Sequence, residues 1–286
     1  MHDLSQAVLL VSCPDRPGIV AKLASSVHEM GWNIVQVDQS VDAEHGDFRM
    51  RMVLEGADPS WKDSGFEDEL AGLAREKKMT VSLYPRDENP RLAIFCSREP
   101  HCLQDLLQRH ASGELACEIP LIISNHEDLR SLAEFFEVPF VHVPNDSSIR
   151  ESAEQKIQAL LKEHKIGLMV LARYMQILSP TIVSAWPEKI INIHHSFLPA
   201  FAGASPYRQA HERGVKLIGA TAHYVTAELD AGPIISQEVI ECSHRDGVID
   251  LTRKGRDVER NTLSRAVRWS IERRLMVHGD RVVVFG

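Results

Sequence analysis

The 286-residue chain has no Cys-x-x-Cys pair, no block of lysine or arginine, no glycine-rich phosphate loop and no apolar run of membrane-spanning length. Each absence removes a class of function. Five cysteines, Cys13, Cys96, Cys102, Cys117 and Cys242, form an odd set without metal or redox spacing, which fits reduced thiols buried as small hydrophobes. A net charge of −8 disfavours nucleic acid and anionic membrane surfaces as partners. The opening Met1-His2-Asp3-Leu4 lacks the basic and apolar regions of a signal peptide, so a soluble, cytoplasmic protein without a membrane anchor is expected. Neither an internal repeat nor a low-complexity segment is present.

What is there divides by pattern into two α/β parts. An apolar run at Ala7 to Cys13 is broken by Pro14-Asp15-Arg16-Pro17-Gly18, after which Ile19, Leu23 and Val27 recur at helical spacing. Two strands follow, the second alternating Phe48, Met50, Met52 and Leu54 with Arg49, Arg51 and Val53; then come a helix around Phe66, Leu70 and Leu73 and a strand at Met79 to Tyr84. The order βαββαβ is a ferredoxin-like unit and accounts for residues 1–85. This unit resembles an ACT domain. The resemblance implies a regulatory role, an amino-acid effector held by Asp15, Arg16, Pro17 and Gly18, and assembly as a homo-oligomer. The bland reading of the same residues is a turn and a well-formed helix start.

Residues 86–91 are polar and contain Pro90, as suits a linker. From Leu92 to the end, continuous apolar runs alternate with amphipathic helices, which predicts a Rossmann-like, mostly parallel sheet covered on both faces. Strands are expected at Leu92 to Ser97, Glu118 to Ser124, Val138 to Val143, Gly167 to Ala172 and Ile190 to His194. Helices are expected at His101 to His110, Glu127 to Phe136, Ile149 to His164 and Pro180 to Trp186, and one long helix at Leu251 to Val277, followed by a short strand at Arg281 to Phe285.

Chemistry concentrates between Ile190 and Gln237. Asn192 and His194 interrupt an apolar strand at spacing two, so both side chains leave on one face. Burying an amide and an imidazole without partners is unfavourable. The carboxyl end of such a strand is where open α/β sheets place ligands. Later, the strand Gly219 to Val225 turns through Glu228-Leu229-Asp230-Ala231-Gly232-Pro233 and returns as Ile234 to Ile240. If that hairpin folds over the first strand, Asp230 meets His194 and Asn192. An acid, an imidazole and an amide donor around one crevice suit acyl or formyl transfer to water or an amine.

Several motifs in order, Ile123-Ser124-Asn125-His126, Ala172 to Ser179 (ARYMQILS), Asn192 to Pro199 (NIHHSFLP), Gly219 to Val225 (GATAHYV) and Leu229 to Pro233 (LDAGP), resemble those of the folate-dependent formyltransferases. The whole chain, with its ACT-like start, is similar to the formyltetrahydrofolate deformylase family. That resemblance implies Asn192, His194 and Asp230 as catalytic residues. It implies a folate pocket lined by Arg173, Tyr174, Met175, Gln176, Ile177 and Leu178, by Gly203, and by Thr226, Ala227, Glu228 and Leu229. The transferases carry a proline at the position of His195, which tilts the expectation to hydrolysis. The implied reaction is 10-formyltetrahydrofolate plus water giving formate and tetrahydrofolate, supplying formate for purine synthesis and balancing the one-carbon pool. The folate is then a substrate, and no tightly bound cofactor is implied.

In that reaction Asn192 and His194 would stabilise the tetrahedral oxyanion, and Asp230 would hold His194 in its cationic form and help move protons between the attacking water and the leaving nitrogen. No metal is expected, because neighbouring His194 and His195 should leave a strand on opposite faces and chelate zinc poorly. His195 is read as a structural histidine satisfied by backbone, with a part in shaping the water site as the other reading, His223 as core or pocket wall, and His126 as a helix start. The alternatives are formyl transfer to an amine such as glycinamide ribonucleotide, and a non-catalytic regulator that binds folate or an amino acid.

Overall fold

The computed structural model describes residues 5–56, 65–86, 88–145, 150–199 and 206–286. Two compact units are present, Met1–Asn89 with Arg273–Met276 and Val283–Gly286, and Pro90–Glu272 with Val277–Val282.

In the first unit the elements are β1 (Ser5–Pro14), α1 (Ile19–Glu29), β2 (Trp32–Asp42), β3 (Asp47–Gly56), α2 (Phe66–Lys77) and β4 (Thr80–Pro85). They give the expected ferredoxin-like antiparallel sheet, in the order β2-β3-β1-β4. Alternation on β3 sends Phe48, Met50, Met52 and Leu54 into a core that Ile19, Leu23 and Val27 of α1 cover.

The second unit runs β5 (Arg91–Cys96), α3 (His101–Ala111), β6 (Glu118–Ser124), α4 (Arg130–Phe135), β7 (Phe140–His142), α5 (Arg150–Glu163), β8 (Leu168–Ala172), α6 (Pro180–Ala185) and β9 (Ile190–His194). The chain continues with α7 (Pro206–Arg213), β10 (Leu217–Tyr224), β11 (Ile234–Glu241), α8 (Val248–Ile271), β12 (Leu275–His278) and β13 (Arg281–Val284), the residues of the last two strands being divided between the two units. The sheet order is β12-β13-β11-β10-β9-β8-β5-β6-β7, with β5 to β9 parallel and β10 reversed against β9. Central strands are apolar on both faces because helices cover both: every residue of β8 is buried. Chain order reverses direction between β5 and β8, so their carboxyl ends splay apart and open a crevice.

Local chemistry sets several boundaries. Ser179 caps α6, its hydroxyl accepting from the Ile182 N–H with Pro180 in the first turn. The long terminal helix differs from the expectation of Leu251 to Val277. It begins three residues earlier and ends at Ile271, because Arg273 adopts a left-handed backbone (φ 55°) and Leu275 to His278 forms a strand. The α4 and β7 boundaries are also shorter than the apolar pattern suggested, and α7 falls in a stretch to which the pattern assigns no element. Among the described residues, no helix is long and apolar enough to cross a membrane.

Candidate active site

The crevice holds a cavity of about 600 Å³, within the usual size of a small-molecule site. Its floor comes from strand ends: Glu99 and His101 after β5, Arg173 to Leu178 after β8, and Asn192 to His195 at β9. Its wall comes from the β10 to β11 connection, Val225 to Asp230, and from Thr252, Arg256 and Glu259 of α8.

Antiparallel pairing of β9 with β10 sets Asn192 opposite His223 and His194 opposite Thr221. The Nδ1–H of His223 donates to the Tyr224 carbonyl at 2.8 Å, which leaves Nε2 of the neutral ring to accept from the Asn192 amide at 3.2 Å. The same Nε2 lies 3.6 Å from Asp230 Oδ1. The other carboxylate oxygen of Asp230 sits 3.1 Å from His194 Nδ1. The Asn192–His223 pair and the Asp230–His194 pair therefore converge on one part of the cavity. His194 Nε2, at the other end of the ring, is buried without a hydrogen-bond partner among the described residues.

Delivering Asp230 to that place needs an unusual backbone. Its φ is 55°, a left-handed conformation that aspartate tolerates better than most residues. Two residues on, Gly232 passes so near β10 that a Cβ there would lie 1.8 Å from the Tyr224 carbonyl oxygen. The connection can fold back this tightly only with glycine. The bond from His194 above all holds the Asp230 carboxyl well below the usual carboxylate range, outweighing its partial burial.

His195 differs from its expectation in two respects. Strand β9 ends at His194, so the alternation that would send neighbouring side chains to opposite faces has stopped, and both imidazoles line the cavity with ring centres 5.3 Å apart. Nor is His195 satisfied by backbone: its ring has no hydrogen-bond partner among the described residues. Burial, reinforced by the Arg173 cation, pushes its pKa down to about 4.

Beyond His195 lies a buried ionic group centred on Glu259, which is 1% exposed. His101 Nε2 lies 2.8 Å from Glu259 Oε2, Arg173 Nε lies 3.4 Å from it, and the Tyr207 hydroxyl donates to Oε1. Burial pushes the carboxyl up, but His101, Arg173 and Tyr207 together outweigh it and leave it below its ordinary value. Gly255, one turn before Glu259, makes room for the tyrosine, since a Cβ there would be 2.1 Å from the Tyr207 hydroxyl. His101, Cys102 and Glu259 also bring three potential metal ligands together, but burial raises the Cys102 thiol well above its usual pKa and makes a thiolate ligand costly.

Family models match the chain over residues 7–60 (ACT domain) and 90–267 (formyl transferase). A curated formyltetrahydrofolate deformylase of Synechocystis is 50% identical, with 98% of each chain covered. This chain is a member of the formyltetrahydrofolate deformylase family. A crystal structure of a deformylase from Pseudomonas syringae superposes with a TM-score of 0.94 at 42% identity, covering 100% of this chain and 96% of the other. Glycinamide ribonucleotide transformylase 1 from Symbiobacterium toebii aligns with a TM-score of 0.66 at 31% identity, covering 72% of this chain and 98% of its own.

In this deformylase-family chain, the residues expected to line a folate pocket sit as follows. Arg173, Tyr174, Met175, Gln176, Ile177 and Leu178 form one side of the cavity, and Thr226, Ala227, Glu228 and Leu229 face it. Met175, Ile177 and Leu229 are 58%, 61% and 65% exposed, an apolar rim that fits an aromatic ligand. Arg173 is left-handed (φ 62°), the Met175 N–H donates to Ser97 Oγ, Arg150 donates to the Ile177 carbonyl, and Thr226 Oγ1 donates to the Glu228 carbonyl. Gly203 lies outside the described residues. In the first unit Asp15, Arg16, Pro17 and Gly18 form an exposed loop: Asp15 N–H donates to the Gly46 carbonyl, Arg16 donates to the Lys77 carbonyl, and Gly18 is left-handed (φ 87°). The sequence marks His223 as core or pocket wall without its bond to Asn192, and leaves out Glu259 as a site residue. Their signals were a histidine in register with Asn192, and a glutamate on the apolar stripe of α8.

Proposed function

We propose that this chain hydrolyses 10-formyltetrahydrofolate to formate and tetrahydrofolate, with Asn192, His194 and Asp230 as its catalytic residues. Attack of water on the formyl carbon moves the carbonyl electrons onto oxygen. The second Asn192 amide hydrogen, not used on His223, and the buried His194 Nε2 are available to that oxygen. Preorganised donors of this kind are each worth about 2.7–4 kcal/mol in the transition state. Asp230, bonded to Nδ1, fixes the ring orientation and supplies countercharge while the ring carries a proton to the leaving nitrogen.

The apolar rim of Met175, Ile177 and Leu229 holds the flat part of the folate, and the strand-end loops from Arg173 to Leu178 and from Thr226 to Leu229 enclose it. The folate is substrate rather than resident cofactor. The ACT unit takes an amino acid at the Asp15 to Gly18 loop, and the protein works as a cytoplasmic homo-oligomer that feeds formate to purine synthesis.

One observation carries this reading: a 3.1 Å Asp230 to His194 pair whose far nitrogen has no partner in a ligand-sized cavity. Incubation with 10-formyltetrahydrofolate and no amine should release formate stoichiometrically with tetrahydrofolate. Formate appearing only when an amine acceptor is added would overturn hydrolysis. A single light-scattering mass equal to one chain would remove the oligomer.

A further inference from the structure

Hydrolysis needs a group to take a proton from water, and the Asp230–His194 pair is already committed to the formyl oxygen and the leaving nitrogen. A second imidazole faces the same cavity. We propose that His195 is the general base that accepts the proton of the attacking water. This rests on the hydrolytic reading above.

Three observations carry it. The His195 ring lines the cavity with no hydrogen-bond partner among the described residues, so its nitrogens are available to water. Its position beyond the end of β9 sets it beside His194, ring centres 5.3 Å apart, within reach of one shared substrate atom or one bridging water. It is braced from behind by Tyr207 of α7, ring centres 6.2 Å apart, and Tyr207 is itself tied to Glu259 of α8. The charged and titratable groups around His195 are Arg173 after β8, Glu259 on α8, His194 on β9, Asp230 in the hairpin connection and Tyr207 on α7. Burial and Arg173 together keep the imidazole neutral down to about pH 4, so the base form is present throughout the physiological range.

The step balances. A water proton passes to His195 as the water oxygen bonds to the formyl carbon, giving a tetrahedral oxyanion and an imidazolium. Collapse re-forms the carbonyl and breaks the carbon–nitrogen bond, and the nitrogen takes a proton from His194. The His195 proton then returns to His194 directly or over one water, and formic acid gives its remaining proton to solvent as formate.

The test uses the full chain and 10-formyl-5,8-dideazafolate, which lacks the N5 that lets the natural substrate cyclise in acid. For the parent, kcat against pH should fall on the acid side with a midpoint near 4. His195→Gln should lose about 10²- to 10⁴-fold in kcat with KM within about threefold, and should lose that acid limb. In His195→Ala, added imidazole should restore rate in proportion to its free-base concentration. A His195→Gln protein with kcat within about threefold of the parent, or with the acid limb intact, overturns the assignment. Failure of the parent to form any formate would instead sink the hydrolytic reading and is scored separately.

Discussion

Asn192 and His223 face each other across β9 and β10, the amide nitrogen 3.2 Å from the imidazole Nε2. The Tyr224 carbonyl fixes the tautomer of His223, and His223 in turn fixes which end of the Asn192 amide points into the cavity. The amide proposed as an oxyanion donor is thereby held in one orientation.

Removing that anchor should cost rate rather than affinity. His223→Ala is expected to lower kcat by about 10²-fold or more, approaching the loss of one oxyanion donor, with KM little changed. Steady-state kinetics on the folded variant check this, and an unchanged kcat would show that Asn192 holds its orientation unaided.

Asp230→Asn should lower kcat by about 10²-fold or more. It should also alter acid stability in a defined direction. The Asp230 carboxyl is depressed in the folded protein, so its contribution is present above the ordinary value of 3.8 and fades as pH falls through the lower folded value. Urea unfolding of parent and variant between about pH 5 and pH 3 should show their stability difference shrinking as pH falls.

Charge removal at Glu259 should act on stability first. Glu259→Gln leaves the buried Arg173 without its counterion, and breaking a buried pair in this way costs about 3–5 kcal/mol. Chemical denaturation would register the loss, and a change under about 1 kcal/mol would mean that solvent reaches Arg173 when the carboxylate is gone.

A methyl group at position 232 should displace the hairpin connection. Gly232→Ala sets a carbon against the Tyr224 carbonyl, so the connection must move outward and carry Asp230 with it. A misplacement of about 1 Å is enough to cost about 10²-fold in kcat. The variant's kcat, compared with its folate affinity, separates this from a general loss of folding.

Much of this architecture was legible because it rests on period. Apolar residues at spacing two and four marked the strands and helices, and the polar breaks at Asn192 and His194 marked the strand end that faces a ligand. Residues whose roles come from pairing between distant strands were not legible. His223 reads as one more inward residue of an alternating strand until the β9–β10 register sets it against Asn192. His195 was misread because alternation was carried one residue past the end of the strand. The last helix was drawn too long because an apolar run, Leu275 to Val277, serves a helix or a short strand equally well, and the left-handed Arg273 decides between them.

Gly255 and Glu259 sit one turn apart on α8, the first yielding space to Tyr207 and the second receiving its hydroxyl. Both depend on a single helical phase. Adding one residue between Val248 and Gly255 would rotate the two by about 100°, turning a notch and its acid away from the tyrosine together. Length variation in this protein is therefore expected to collect in surface loops, while the spacing along α8 stays fixed.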